Sequence, residues 1–73
     1  MTIETIRVLE MLAKLQKSNL NPEINIFDGD CIINFNDIHG RYGCTESVTI
    51  TKEGVWKGYG WNFDELMNLL EDI

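Results

Sequence analysis

The 73-residue chain holds one proline, two cysteines, one histidine and no long apolar run. Each scarcity excludes something. Two cysteines are too few for a disulfide-stapled scaffold, and a reduced cytoplasm is the compartment they suggest. The apolar stretches are far too short to cross a bilayer. "MTIETIRVLEMLAKLQKSN" is interrupted by Glu4 and Glu10 and is followed by no small-residue cleavage site, so a signal peptide is not expected. One proline and no low-complexity segment leave no sign of a linker, and a single domain over residues 1–73 is expected.

Positive charge is scarce as well. Six basic against twelve acidic residues give a net charge of −6, unevenly spread. Residues 1–20 carry three bases and two acids, whereas the last thirteen carry Asp64, Glu65, Glu71 and Asp72 with no base. Such a chain repels nucleic acid and anionic membrane, so direct binding to either is not expected, and a charged partner would be basic. Hydrophobic residues at 44% and charged residues at 25% are ordinary for a folded protein.

Residues 3–18 read as a helix. Arg7, Glu10, Lys14 and Lys17 fall on one stripe, with Glu10 and Lys14 at pairing distance. The rest is apolar: Ile3, Ile6, Leu9 and Ala13 on one side, Val8, Leu12 and Leu15 on the other. That arc is wider than one sheet contact needs, which predicts contact with the sheet and also with a second helix or a second subunit. "NLNP" at 19–22 ends the helix.

"INIFDGDCIINFN" reads as a hairpin on Asp28-Gly29, with closure one residue later as the alternative register. Either register gathers Ile24, Ile26, Cys31, Ile33 and Phe35 on one face, and Asn25, Phe27, Ile32, Asn34 and Asn36 on the other. "DIHGRYGC" at 37–44 is a polar connection. A second hairpin follows, and a Lys52-Glu53-Gly54 loop with glycine in the left-handed position suits it best. That loop pairs Ile50 with Trp56 and Val48 with Gly58. Trp56 then points to the core, Gly58 and Gly60 leave clearance for a helix, and Lys57, Tyr59 and Trp61 face outward with Val55. Asn62 and Glu65 make a capping box, and Phe63, Leu66, Met67, Leu70 and Ile73 form the apolar stripe of a last helix. The predicted fold is α+β: a four-stranded antiparallel meander with the N-terminal and C-terminal helices packed on one face, α-β-β-β-β-α.

Cys31, His39 and Cys44 suggest a metal site, but the spacing argues against it. The strand between the cysteines covers about 20 Å at ~3.3 Å per residue, and the paired short intervals of a structural zinc site are missing. Asp37, His39 and Cys44 could be written as a thiol catalytic set, but one short loop supplies all three and no oxyanion site accompanies them. Neither a cofactor nor catalysis is expected.

Three surfaces remain for a non-enzymatic function. One is the outer sheet face with Lys57, Tyr59 and Trp61. Another is the loop tip with His39, Arg41 and Tyr42, since loops on a rigid sheet carry recognition. The third is the acidic last helix with Asp64, Glu65, Glu71 and Asp72. Together they suggest a small acidic protein-binding module that regulates or inhibits a larger basic or nucleic-acid-handling protein, a role suited to a phage or mobile element. The alternative is a structural homodimer joined through the apolar helix or the outer sheet face.

Overall fold

The computed structural model describes residues 3–58 and 60–71. Its elements are α1 (Thr5–Lys17), β1 (Glu23–Phe27), β2 (Asp30–Asn36), β3 (Thr45–Ile50), β4 (Trp56–Gly58) and α2 (Phe63–Glu71). The strands form one antiparallel sheet in the order β1-β2-β3-β4, and the two helices touch each other. The α+β meander read from the sequence is the observed fold.

Both turns set the register as expected. Asp28 and Gly29 take positive φ (53° and 85°), so the first hairpin closes on them and places Ile24 opposite Ile33 and Ile26 opposite Cys31. Gly54 takes φ 81°, and Ile50 then meets Trp56 and Val48 meets Gly58. One sheet face thereby presents Ile33, Phe35, Val48, Ile50 and Trp56 to Met11 and Leu15 of α1 and to Phe63, Leu66 and Leu70 of α2. Burying side chains of this size stabilises by roughly 1.5–3 kcal/mol each.

The end of α1 shows how the chain reverses. Asn19 takes φ 60°, the Asn19 N–H donates to the Gln16 carbonyl, and the Leu20 N–H donates to the Leu15 carbonyl. This is the Schellman arrangement with asparagine in the left-handed position, completed by contact between two buried leucines. Leu20 then accepts a hydrogen bond from the Asn36 N–H at 2.8 Å, which ties the turn to the far end of β2. At the other end the Ile3 N–H donates to the Gly54 carbonyl. The helix itself begins at Thr5, two residues later than the periodicity predicts, because Ile3 is engaged with this turn.

Three local expectations are corrected. Lys14 pairs with Glu71 of α2 instead of Glu10, so the stripe of charges on α1 joins the helices. Arg7 lies over the Phe63 ring at 5.4 Å, on the same flank. Gly58 does make room, but for the indole of Trp56: a Cβ there would stand 2.3 Å from Nε1 and 2.6 Å from the Trp61 carbonyl oxygen. Gly60 leaves the strand and takes φ 79° with open space beside it. The chain therefore bends after β4, and Trp61 swings to the core side and stacks on Phe35 at 6.2 Å. Tyr59, Asp72 and Ile73 lie outside the described residues.

Gly58→Ala is expected to destabilise the fold by roughly 1–3 kcal/mol through overpacking, although its backbone dihedral is one alanine adopts easily. Urea unfolding followed by tryptophan fluorescence measures this. Wild-type stability in the variant would show that the indole does not occupy the glycine's side-chain space.

Candidate functional site

The chain from β2 to β3 is braced by a buried carboxylate. Asp37 is only 2% exposed. Its Oδ2 accepts from the Arg41 backbone N–H at 3.1 Å and from Arg41 Nε at 3.0 Å, and its Oδ1 accepts from Nη2 at 2.8 Å. A planar guanidinium in two-point contact holds a carboxylate far more firmly than a single point charge could. The Asp37 N–H also donates to the Cys44 carbonyl, and the Gly40 N–H donates to the Asp37 carbonyl. Gly40 and Gly43 supply positive φ at the two bends. Between them Tyr42 projects wholly into solvent.

Arg41 holds the Asp37 carboxyl well below the usual carboxylate range, chiefly by side-chain hydrogen bonding, and the guanidinium is itself held more firmly in its charged form. Glu46, on the first residues of β3, stands 3.8 Å from Arg41 Nη2. Burial pushes its pKa up, and the adjoining Asp37 adds to the effect, against the pull of Arg41 and His39. One arginine thus serves two carboxylates, and Asp37 takes the larger share.

The loop opens onto an outer hollow of about 660 Å³, lined by Arg41, Glu46, Ser47, Thr49, Lys57 and Gly58 among others. Lys57 is exposed and opposite Thr49, as its register requires. β4 runs toward the loop, the chain turns back at Gly60, and α2 starts beside Trp56 and Arg7 and ends beside Lys14. Asn62 caps the start of the helix: its Oδ1 accepts from the Glu65 N–H at 2.8 Å, and its amide donates to Glu65 Oε1 at 3.1 Å. Asp64 and Glu65 are exposed in the first turn, where the helix dipole favours negative charge.

The sequence-predicted contact residues therefore separate. His39, Arg41, Tyr42, Lys57, Asp64 and Glu65 are all exposed, the first three on the loop, Lys57 on the outer face of β4, and the two acids in the first turn of α2. Trp61 does not join them: it is half-buried against Phe35, and the carbonyl it offers is taken by the Trp56 indole at 2.9 Å. Glu71 is engaged with Lys14 at the opposite end of α2. Tyr59 and Asp72 lie outside the described residues. Glu46 was missed by reading the sequence, because only the register that faces it toward Phe35 brings it to Arg41. The Asp37–Arg41 spacing of four was visible, though spacing alone does not distinguish a turn brace from a helical pair.

Cys31 and Cys44 are both free, half-buried and exposed respectively, and lie at opposite ends of β2. Among the described residues no three His, Cys, Asp or Glu side chains gather as a metal site, and no helix is long and apolar enough to cross a membrane. Comparison with known protein families, with curated proteins and with solved structures gives no match.

The two carboxylates act on stability in opposite directions with pH. Glu46, raised above its ordinary value of 4.5, favours the fold when protonated, and that contribution is lost as pH rises through its folded-state pKa. Asp37, lowered below 3.8, contributes stability that is present above 3.8 and lost as pH falls through its folded-state pKa. Glu46→Gln should therefore raise the thermal midpoint at pH 7, with the gain fading toward pH 3. Midpoints measured across that range check it, and a gain independent of pH would contradict the assignment.

Proposed function

We propose that the chain is a non-enzymatic protein-binding module that attaches to the basic surface of a larger protein and modulates it as a regulator or inhibitor. The observation that carries this reading is the braced loop. An ion pair between the buried Asp37 and the exposed Arg41, with two left-handed glycines, holds Tyr42 out in full solvent exposure. An aromatic ring held ready in this way loses little conformational freedom on docking, and tyrosine is among the residues that dominate binding energy.

The balance of surface charge supports a basic partner. Arg41 is bound by Asp37 and Lys14 by Glu71, so two of the six bases in the chain are already locally neutralised. Asp64 and Glu65 are exposed in the first turn of α2 and, among the described residues, pair with no base. Such carboxylates can occupy a groove built for phosphates, which fits a nucleic-acid-handling protein as the target.

Affinity capture from the native host, followed by titration with the purified partner, tests the reading. Tyr42→Ala should weaken binding about tenfold or more, equivalent to at least about 1.4 kcal/mol. Raising salt from 50 to 500 mM should weaken it further. A captured partner whose affinity responds to neither change would overturn the proposal.

A further inference from the structure

The other end of the sheet order is open, and it concerns a different surface and a different partner. All five residues of β1 are exposed. Ile24 and Ile26 stand on the helix-bearing face, as the sequence predicts, yet they are 51% and 69% exposed because neither helix covers them. The reason lies in where the helices pack. Arg7 and Lys14 turn one flank of α1 to α2, and Val8 shares a shallow hollow with Cys31 of β2. The flank away from α2 therefore looks toward β1. It carries half-buried Leu12, with Leu9 at 60% exposure above it toward solvent, while Ile6 lies on the outer face of the helix.

The main chain of β1 is equally unpartnered along its outer side. The Asn36 N–H reaches Leu20 on the β1 side, and the Asp37 N–H reaches Cys44 on the β3 side. Ladder bonds alternate in direction along a strand, so Asn34, Ile32 and Asp30 are the β2 residues that bond to β1. Their partners are Glu23, Asn25 and Phe27. Ile24 and Ile26 consequently turn their N–H and carbonyl groups away from the sheet. Natural edge strands are commonly blunted by lysine, proline or a bulge. β1 has no lysine or proline, and its five consecutive pairs with β2 leave no bulge.

We infer that β1 pairs antiparallel with β1 of a second copy, joining two sheets into one of eight strands. A twofold axis at Asn25 sets Ile24 against the partner's Ile26 in both directions. Residues opposite each other in a hydrogen-bonded pair exchange two bonds, so this register makes four. Each Asn25 meets the same residue of its partner, an amide that both donates and accepts. Glu23 meets the partner's Phe27, so no like charges oppose each other. A register centred on Ile24 is poorer, since it sets Ile26 against Pro22, which has no N–H. The four isoleucines then form one apolar strip, continuous with Leu9 and Leu12 of both α1 helices. Ile24, Ile26 and Leu9 on this face, with Phe27 beside the partner's Glu23 on the outer face, offer several hundred Å² per copy, and the twofold brings the total toward the roughly 1,000 Å² at which specific interfaces begin. The self-association anticipated from the breadth of the α1 apolar arc thus runs through this edge and not through the outer sheet face.

Each copy carries −6, so the dimer brings like charges together, and added salt should strengthen it. That is the opposite of the salt dependence expected for a basic partner, which separates the two surfaces. Sedimentation of the full chain from 1 to 200 µM, at 50 and 500 mM salt, provides the test. The expected result is a monomer–dimer equilibrium that tightens at high salt. Ile26→Lys should weaken it about a hundredfold or more while leaving the circular dichroism spectrum and tryptophan emission unchanged. Tyr42→Ala should leave it intact. Amide hydrogen exchange of Ile24 and Ile26 should slow as protein concentration rises. A monomer at 200 µM in both salts would overturn the inference. So would a dimer unaffected by Ile26→Lys, or exchange at Ile24 and Ile26 that is independent of concentration.

Discussion

The indole of Trp56 lies across Gly58 and donates to the Trp61 carbonyl, and the placement of α2 depends on that contact. β4 is only three residues long, too short to hold a helix in position through its own ladder. The indole provides the missing constraint. It fixes the bend after β4, sets Trp61 against Phe35, and brings Phe63 edge-on to Trp56 at 5.9 Å. Arg7 over Phe63 and the Lys14–Glu71 pair then join α1 to α2. Surface ion pairs of this kind contribute little alone. Here their effect is orientation: they turn one flank of α1 toward α2 and leave the other uncovered.

That placement makes the two margins of the sheet unlike. On the β3–β4 side, α2 and the bend at Gly60 cover the core. On the β1 side the strand has free main-chain groups and two isoleucines in solvent. The end holding the 37–44 loop is different again, being polar and braced by Asp37 and Arg41. A small domain has limited interior, and chains of this size often gain stability through a partner. The β1 margin is where added burial would cost least in ordering, because both contributing elements are already folded.

Much of the fold was legible because local chemistry and long-range packing agree. Lys52-Glu53-Gly54 has one favourable closure, and the two closures open to the first hairpin gather the same residues on each face, so a two-residue alternation carries the facing down the strands. The capping pair Asn62 and Glu65 marked the start of α2 for the same reason. Trp61 was assigned to the wrong side because alternation was carried past Gly58, where the strand ends. Nothing local marks that end, since it is caused by an indole folded back from two residues earlier. The brace at Asp37 is not legible from a polar connection alone, and the contribution of Glu46 comes only through register. Alternation places Ile24 and Ile26 on the helix-bearing face, but it does not show that both stay exposed there.

The sequence by itself determined the order of elements, the register of the second hairpin and the face each strand residue occupies, while the register of the first hairpin came from the structure. These follow from φ preferences and periodicity within a few residues, so no distant contact is needed to decide them. Only the tertiary structure decided which part of the apolar face is covered. Coverage depends on where two helices come to rest, and that is set by contacts between residues far apart in the chain: Arg7 with Phe63, Lys14 with Glu71, Leu20 with Asn36. A residue's face is a local property, whereas its burial depends on what the rest of the chain brings to it.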